Sequence, residues 1–405
     1  MLLKGDSRLN DPGELISFHG GLIIAGDEMQ VVEGAALVVK HGRILRIGEN
    51  PTSARVVDVS GKLLCPMFVN AHTHIGDTGA KELGIGLPMV ELVCPPDGLK
   101  HRFLASLDTD THIAMMRHGM LEMLNNGIIA FGDFREQGLE GVLTLRRAGE
   151  GLPIRAVILG RMEEMATPET AEIEGYEILS AADGIGVRDV TSYDSNMITR
   201  LRADYPDKLF AAHASENRAA EQESVEQTGK GQTARLLDWG PDFLVHLVHT
   251  PVEDLKRVAG QGVIAVSCPR SNGIVGDGLV NLGLWKKIGL SFALGTDNMM
   301  FNAPDMLREM DYTSRMVRGL NGDTTAIDTK TILKSATIVG ARALKLDEEL
   351  GSLAPGKEAS FVAFDLQCPN LTYQQDVVSA IVHRATVADI DGVYVQGLPL
   401  ELYYQ

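Results

Sequence analysis

Closely spaced cysteines are missing from this chain. Its four cysteines, Cys65, Cys94, Cys268 and Cys368, are scattered and form no CxxC pair. That argues against a disulfide framework and against a thiolate metal site, and it fits a reducing compartment. Positive charge is also in short supply, with 37 basic residues against 54 acidic ones and a net charge of -17. Such a surface repels phosphate backbones, so nucleic acid is not an expected partner. No apolar run approaches 18 residues, so no membrane span is expected. The opening stretch MLLKGDSRLN lacks the apolar segment of a signal peptide. The expectation is a cytoplasmic protein.

What is present is ordinary for a folded globular chain: 44% hydrophobic and 22% charged residues over 405 positions. That length suggests one large domain and one smaller one. From about residue 60 to 350, short apolar runs alternate with helical patterns. The runs are KLLCPMFVNAHTH (62–74), GIIAFGDF (127–134), PIRAVILGR (153–161), GIGVRDVTSY (184–193), KLFAAHASE (208–216), FLVHLVHT (243–250), GVIAVSCPRSN (262–272) and LSFALGTDN (290–298). Near-continuous apolar runs suit parallel strands buried on both faces. Between them lie helical segments. One spans 109–127, with Asp108 or Thr109 as N-cap and Gly127 as stop. Another begins at APDMLREM, with Pro304 in its first turn. Eight strand–helix units predict a closed (β/α)8 barrel, with an open doubly wound sheet as the alternative.

The ends read as β structure, with His41-Gly42 at a hairpin turn. The expected division is residues 1–60 and 350–405 as two parts of one small β-sandwich-like domain, around a barrel at 61–349.

Catalytic groups in such barrels stand at the C-terminal ends of the strands. The first run ends in His72 and His74, which point to one face because strand side chains repeat every two residues. The fifth run ends in His213 and Glu216, the sixth carries His246 and His249, and the eighth ends in Asp297. Imidazole and carboxylate are good ligands for zinc and for iron. A lone strand-end histidine is usually just a satisfied polar group, and an Asp after Gly-Thr is usually a turn or a cap. The joint pattern is far harder to reach by accident.

These stretches resemble the amidohydrolase superfamily, and within it the deaminase and chlorohydrolase branch. The matching segments are NAHTH, HASE, HLVHT, CPRSNGIVGDG, LGTDN followed by DMLREM, and GSLAPGKEASFVAFD, so the likeness covers nearly the whole chain. It implies a distorted barrel with one metal. It also implies that His72, His74, His213 and Asp297 are ligands, with Glu216 and His246, helped by Asp297, as acid–base groups. Binuclear members carry a bridging lysine at the end of strand four. Here that end reads RDVTSYDS, so one divalent ion is expected, zinc first and iron second. The usual acidic residue of the C-terminal stretch is Ser360 here.

The expected activity is hydrolysis of a carbon–nitrogen bond outside peptides, namely deamination of a small amino-heterocycle with release of ammonia. The zinc signature of cytidine deaminases, H-x-E with P-C-x-x-C, is absent. Ring opening of a cyclic amide and metal-bound binding without catalysis are the alternatives. Arg135, Arg161 and Arg270 follow strands two, three and seven, and Lys100, His101 and Arg102 follow strand one. Together with His249, the three arginines are candidate substrate contacts. The expected partner is a small molecule that can carry an anionic group, because arginine binds such groups bidentately. Local pairing of the arginines with Asp133, Glu163 or Glu164 is the competing reading. Self-association into a homo-oligomer stays open.

Overall fold

A computed structural model describes residues 14–51, 54–162 and 167–401. Eight parallel strands follow one another around a barrel in chain order. They are Phe68–His74, Ile128–Arg135, Arg155–Gly160, Gly184–Val187, Leu209–Ala214, Phe243–His246, Ile264–Ser267 and an eighth in two pieces, Phe292–Leu294 and Asp297–Asn298. The first piece of the eighth strand pairs with strand seven, and the second pairs with strand one. The break between these pieces bends the chain so that the barrel can close.

Two side-chain details allow that closure. A Cβ on Gly295 would sit 2.8 Å from the His72 Cβ, so only bare backbone fits against strand one. Asn70 then bridges the seam, donating to Thr296 Oγ1 at 2.7 Å and accepting from Thr296 N at 2.9 Å. All residues of strands one and two are buried, the polar Asn70, His72, Thr73, His74, Asp133 and Arg135 along with the apolar ones.

The first run proves to be two strands. Lys62–Pro66 pairs with Phe361–Asp365 in a different sheet, and the barrel strand starts at Phe68. That different sheet has six strands, in the order 398–399, 390–395, 361–365, 62–66, 22–25 and 30–32. It faces a four-stranded sheet built from 43–48, 36–40, 16–19 and 55–58. Ile16, Phe18, Leu37, Val39, Leu64 and Phe361 fill the space between the two, which makes the sandwich. The hairpin at His41-Gly42 forms with φ of 51° and 73°, the left-handed pair that a tight turn of this kind needs.

The helix at Thr109–Asn125 is capped by Asp108, whose side chain accepts from Thr111 N. The other helix begins later than its sequence suggests, at Met306. Asp305 takes the cap position by accepting from the Leu307 and Arg308 amides, so Pro304 lies before the helix. No helix among the described residues is long and apolar enough to cross a membrane.

Candidate metal and catalytic centre

The ends of strands one, five, six and eight converge at one mouth of the barrel. His74 Nε2 is 3.3 Å from His213 Nε2. Asp297 Oδ1 lies 3.3 Å from His72 Nε2 and 3.5 Å from His74 Nε2. His72, His213 and His246 also bring their ring nitrogens within 4.8 Å of one another. All of these side chains are buried.

The hydrogen bonds on the far side of each ring fix which nitrogen carries a proton. His74 Nδ1 faces Glu136 Oε1 at 2.8 Å and Phe134 O at 3.1 Å, both acceptors. His213 Nδ1 faces Val187 O at 3.3 Å. Each Nδ1 is therefore the donor, which leaves Nε2 as a lone pair. Two lone pairs aimed at each other across 3.3 Å, beside a carboxylate oxygen, repel unless a cation lies among them. His72 adds a further sign, because neither of its buried ring nitrogens makes a hydrogen bond. Burial, reinforced by Lys100, pushes the His74 imidazole down to about 3, and burial lowers His72 and His213 as well. Neutral imidazole is the form that ligates a metal. The donor set fits a divalent ion with an open position.

The two candidate acid–base groups, Glu216 and His246, stand beside this cluster. His246 Nδ1 meets Asn272 Oδ1 at 2.9 Å, so its Nε2 is turned to Glu216 Oε1 at 3.4 Å. Burial and the Asp297 carboxylate push the Glu216 carboxyl up to about 8. Asp297 Oδ2 accepts from Ser271 Oγ at 2.5 Å. Ser215, His246 and Asp297 all hold φ between 48° and 73°, a costly conformation for these residues that the surrounding fold must enforce.

A cavity of about 520 Å³ opens above the cluster, lined by His74, His213, His246, Asp297 and Glu216. Its walls include Met89, Val93, Lys100, Arg161, Arg188 and Asn298.

The three strand-end arginines part company. Arg135 is fully buried, with Nη2 2.5 Å from Glu136 Oε2 and Nη1 3.8 Å from Asp133 Oδ1, and it does not line the cavity. Arg270 sits on the helix Pro269–Val275 beyond strand seven, and it is turned to Glu309 and the Ala303 carbonyl. Only Arg161 reaches the cavity, where it also meets Glu136 at 3.4 Å. Its suggested partners Glu163 and Glu164 lie outside the described residues. His249 turns to the Asp277 carbonyl at 2.7 Å and so fixes a loop rather than lining the cavity. In the loop after strand one, His101 and Arg102 bond to the backbone carbonyls of Val93 and Asp97.

Glu136 and Asn272 are the residues that sequence reasoning missed. Glu136 directly follows Arg135, and Asn272 lies within CPRSN, so both stood next to stretches already singled out. Neither carries a local signal of what it touches.

The sequence profile of the amidohydrolase family matches residues 63–399. A putative aminohydrolase of Methanothermobacter thermautotrophicus is 37% identical over 313 residues, covering 75% of this chain and 81% of that protein. A 5-methylthioadenosine/S-adenosylhomocysteine deaminase of Thermoanaerobacter pseudethanolicus is 27% identical over 405 residues, covering 93% and 91%. Among solved structures, a zinc-bound adenosine deaminase from Xanthomonas campestris superposes with a TM-score of 0.83 at 24% identity, covering 96% of this chain and 92% of that one. Escherichia coli guanine deaminase superposes with a TM-score of 0.81 at 21% identity, covering 97% and 100%. The chain belongs to the amidohydrolase family. It is a hydrolase of carbon–nitrogen bonds other than peptide bonds.

Proposed function

We propose that the protein uses one divalent metal ion to deaminate a small amino-heterocycle by hydrolysis. The observation that carries this reading is the convergence of three imidazoles and Asp297 with two acid–base groups, Glu216 and His246, on one cavity. His72, His74, His213 and Asp297 would hold the ion. Three nitrogens and a carboxylate suit zinc, and iron(II) accepts the same donors. When bound, the ion supplies a water acidified from a pKa of about 15.7 toward 7.

The chain's own residues then manage protons. His246 Nε2, turned toward Glu216 while Nδ1 donates to Asn272, accepts a proton from the water, and Asp297 can share it. Glu216, protonated near neutrality, donates to the ring nitrogen beside the carbon under attack, so negative charge does not build there. The oxygen of water forms a new bond to that carbon. The exocyclic carbon–nitrogen bond breaks and takes its electron pair to nitrogen. The amino group collects the proton held by His246 and leaves as ammonia, while the hydroxyl proton passes to the ionised Glu216 as the carbon–oxygen double bond forms, which restores both groups. One water is consumed and one ammonia is released.

Arg188 stands at the exit of strand four, paired with Asp189 at 2.8 Å, where a binuclear site would need a lysine. That supports a single ion. An anionic substituent on the substrate would meet Lys100 and Arg161 on the cavity wall. The named activities of the relatives make aminopurines and their nucleosides the first substrates to test.

The test combines metal analysis with ammonia release from a panel of aminopurines, aminopyrimidines and cyclic amides. About one equivalent of metal and ammonia from a purine support the proposal. Two equivalents overturn the single-ion assignment, and ring opening without ammonia overturns the deamination.

A further inference from the structure

One carboxylate at the exit of strand two is surrounded by basic side chains. Glu136 Oε1 lies 2.8 Å from His74 Nδ1, 2.5 Å from Lys100 Nζ and 3.4 Å from Arg161 Nη1. Its Oε2 lies 2.5 Å from Arg135 Nη2. Glu136 and these four partners are all buried. The proton transfers described above do not use this carboxylate, yet three cations from three separate elements are spent on it.

We propose that Glu136 is a positioning residue for the metal site, acting through His74. The inference rests on reading His74 as a metal ligand. An ionised carboxylate only accepts hydrogen bonds, so its contact, with that of the Phe134 carbonyl at 3.1 Å, obliges His74 Nδ1 to carry the proton and Nε2 to present a lone pair to the ion. A carboxylate behind a ligating imidazole also fixes the plane of the ring and raises its basicity.

The three ligand histidines are unequal in this respect. His213 has a backbone carbonyl behind it, and His72 Nδ1 has no hydrogen-bond partner. His74 alone is braced by a charge. The cations explain how that charge survives burial. Lys100 comes from the helix Leu99–Ala105, Arg135 from strand two, and Arg161 from the exit of strand three. Held from three directions, the carboxylate cannot swing away from the ring.

Zinc affinity, measured on the purified full chain by competition with a chromogenic chelator, tests this with thermal unfolding followed alongside. Glu136→Gln is expected to weaken zinc binding by about 10–100-fold. Lys100→Met removes one cation but leaves the His74 contact, so its zinc affinity should not fall below wild type. Glu136→Gln alone strips the counter-charge from three buried cations and can fail to fold. The double variant Glu136→Gln with Lys100→Met removes one charge of each sign. It should fold, and it should show the same weak zinc binding. A folded double variant that binds zinc as tightly as wild type overturns the proposal. So does an equal loss in Lys100→Met, which would assign the effect to packing of the ion network. If wild type itself binds no zinc, the metal reading falls first, and that outcome is distinct from either of the others.

Discussion

The barrel mouth and the β-sandwich bury side chains in opposite ways. In the sandwich, Phe361 packs its ring against Phe18 at 4.9 Å and against Tyr394 at 4.7 Å. Its non-glycine left-handed residues, among them His41 and Gln396, sit in turns that need them. The barrel mouth buries His72, Glu136, Arg135, Lys100 and Asp297 together, and it holds Ser215, His246 and Asp297 in left-handed conformations at strand ends. Buried polar atoms without hydrogen bonds gather there too, including His72 Nδ1 and Nε2, Asn272 Nδ2 and Asp277 Oδ2. The sandwich gains stability from apolar burial. The mouth gives up stability to hold charges and lone pairs where a cation and a substrate can use them.

The sharpest test of that contrast removes one group from each region. Glu216→Gln keeps the shape of the side chain but cannot donate a proton. Turnover should fall about 10²–10⁴-fold, with metal content and unfolding temperature close to wild type. Near-normal turnover would reduce Glu216 to a structural role. Phe361→Ala should do the reverse. Emptying a buried aromatic site costs about 3–5 kcal/mol of stability, while turnover per folded molecule stays unchanged. A loss of turnover without a loss of stability would show that the sandwich takes part in the chemistry.

A smaller effect comes from beneath the mouth. Burial pushes the Glu309 carboxyl up from 4.5 to about 7, against the pull of Arg270. The folded state therefore holds a proton that the unfolded state releases at lower pH. That contribution to stability is fully present below about pH 4.5 and is lost as the pH rises through about 7. Glu309→Gln should flatten this part of the decline, seen by denaturant unfolding at pH 5 and pH 8. Parallel curves for wild type and variant would remove Glu309 from the account.

The sequence by itself determined the strand–helix alternation, the eight strands and the residues at their ends. Strand periodicity is local, so an HxH at the end of an apolar run places two imidazoles on one face whatever surrounds them. It also placed the hairpin at His41-Gly42 and narrowed the helix cap to Asp108 or Thr109, where a single turn decides the matter. Partners were another matter. Arg135, Arg161 and Arg270 look alike in sequence, each a charge just beyond an apolar run. The fold sends the first to Glu136 and Asp133, the third to Glu309, and only the second to the cavity. Ion pairing depends on distances across strands and helices that no local pattern records. The same holds for Lys62–Pro66, whose apolar run continues into the first barrel strand but whose backbone pairs with Phe361–Asp365 on one side and Leu22–Ala25 on the other. Only the tertiary structure decided which carboxylate meets which cation, because a buried charge settles on the partner the packing brings to it.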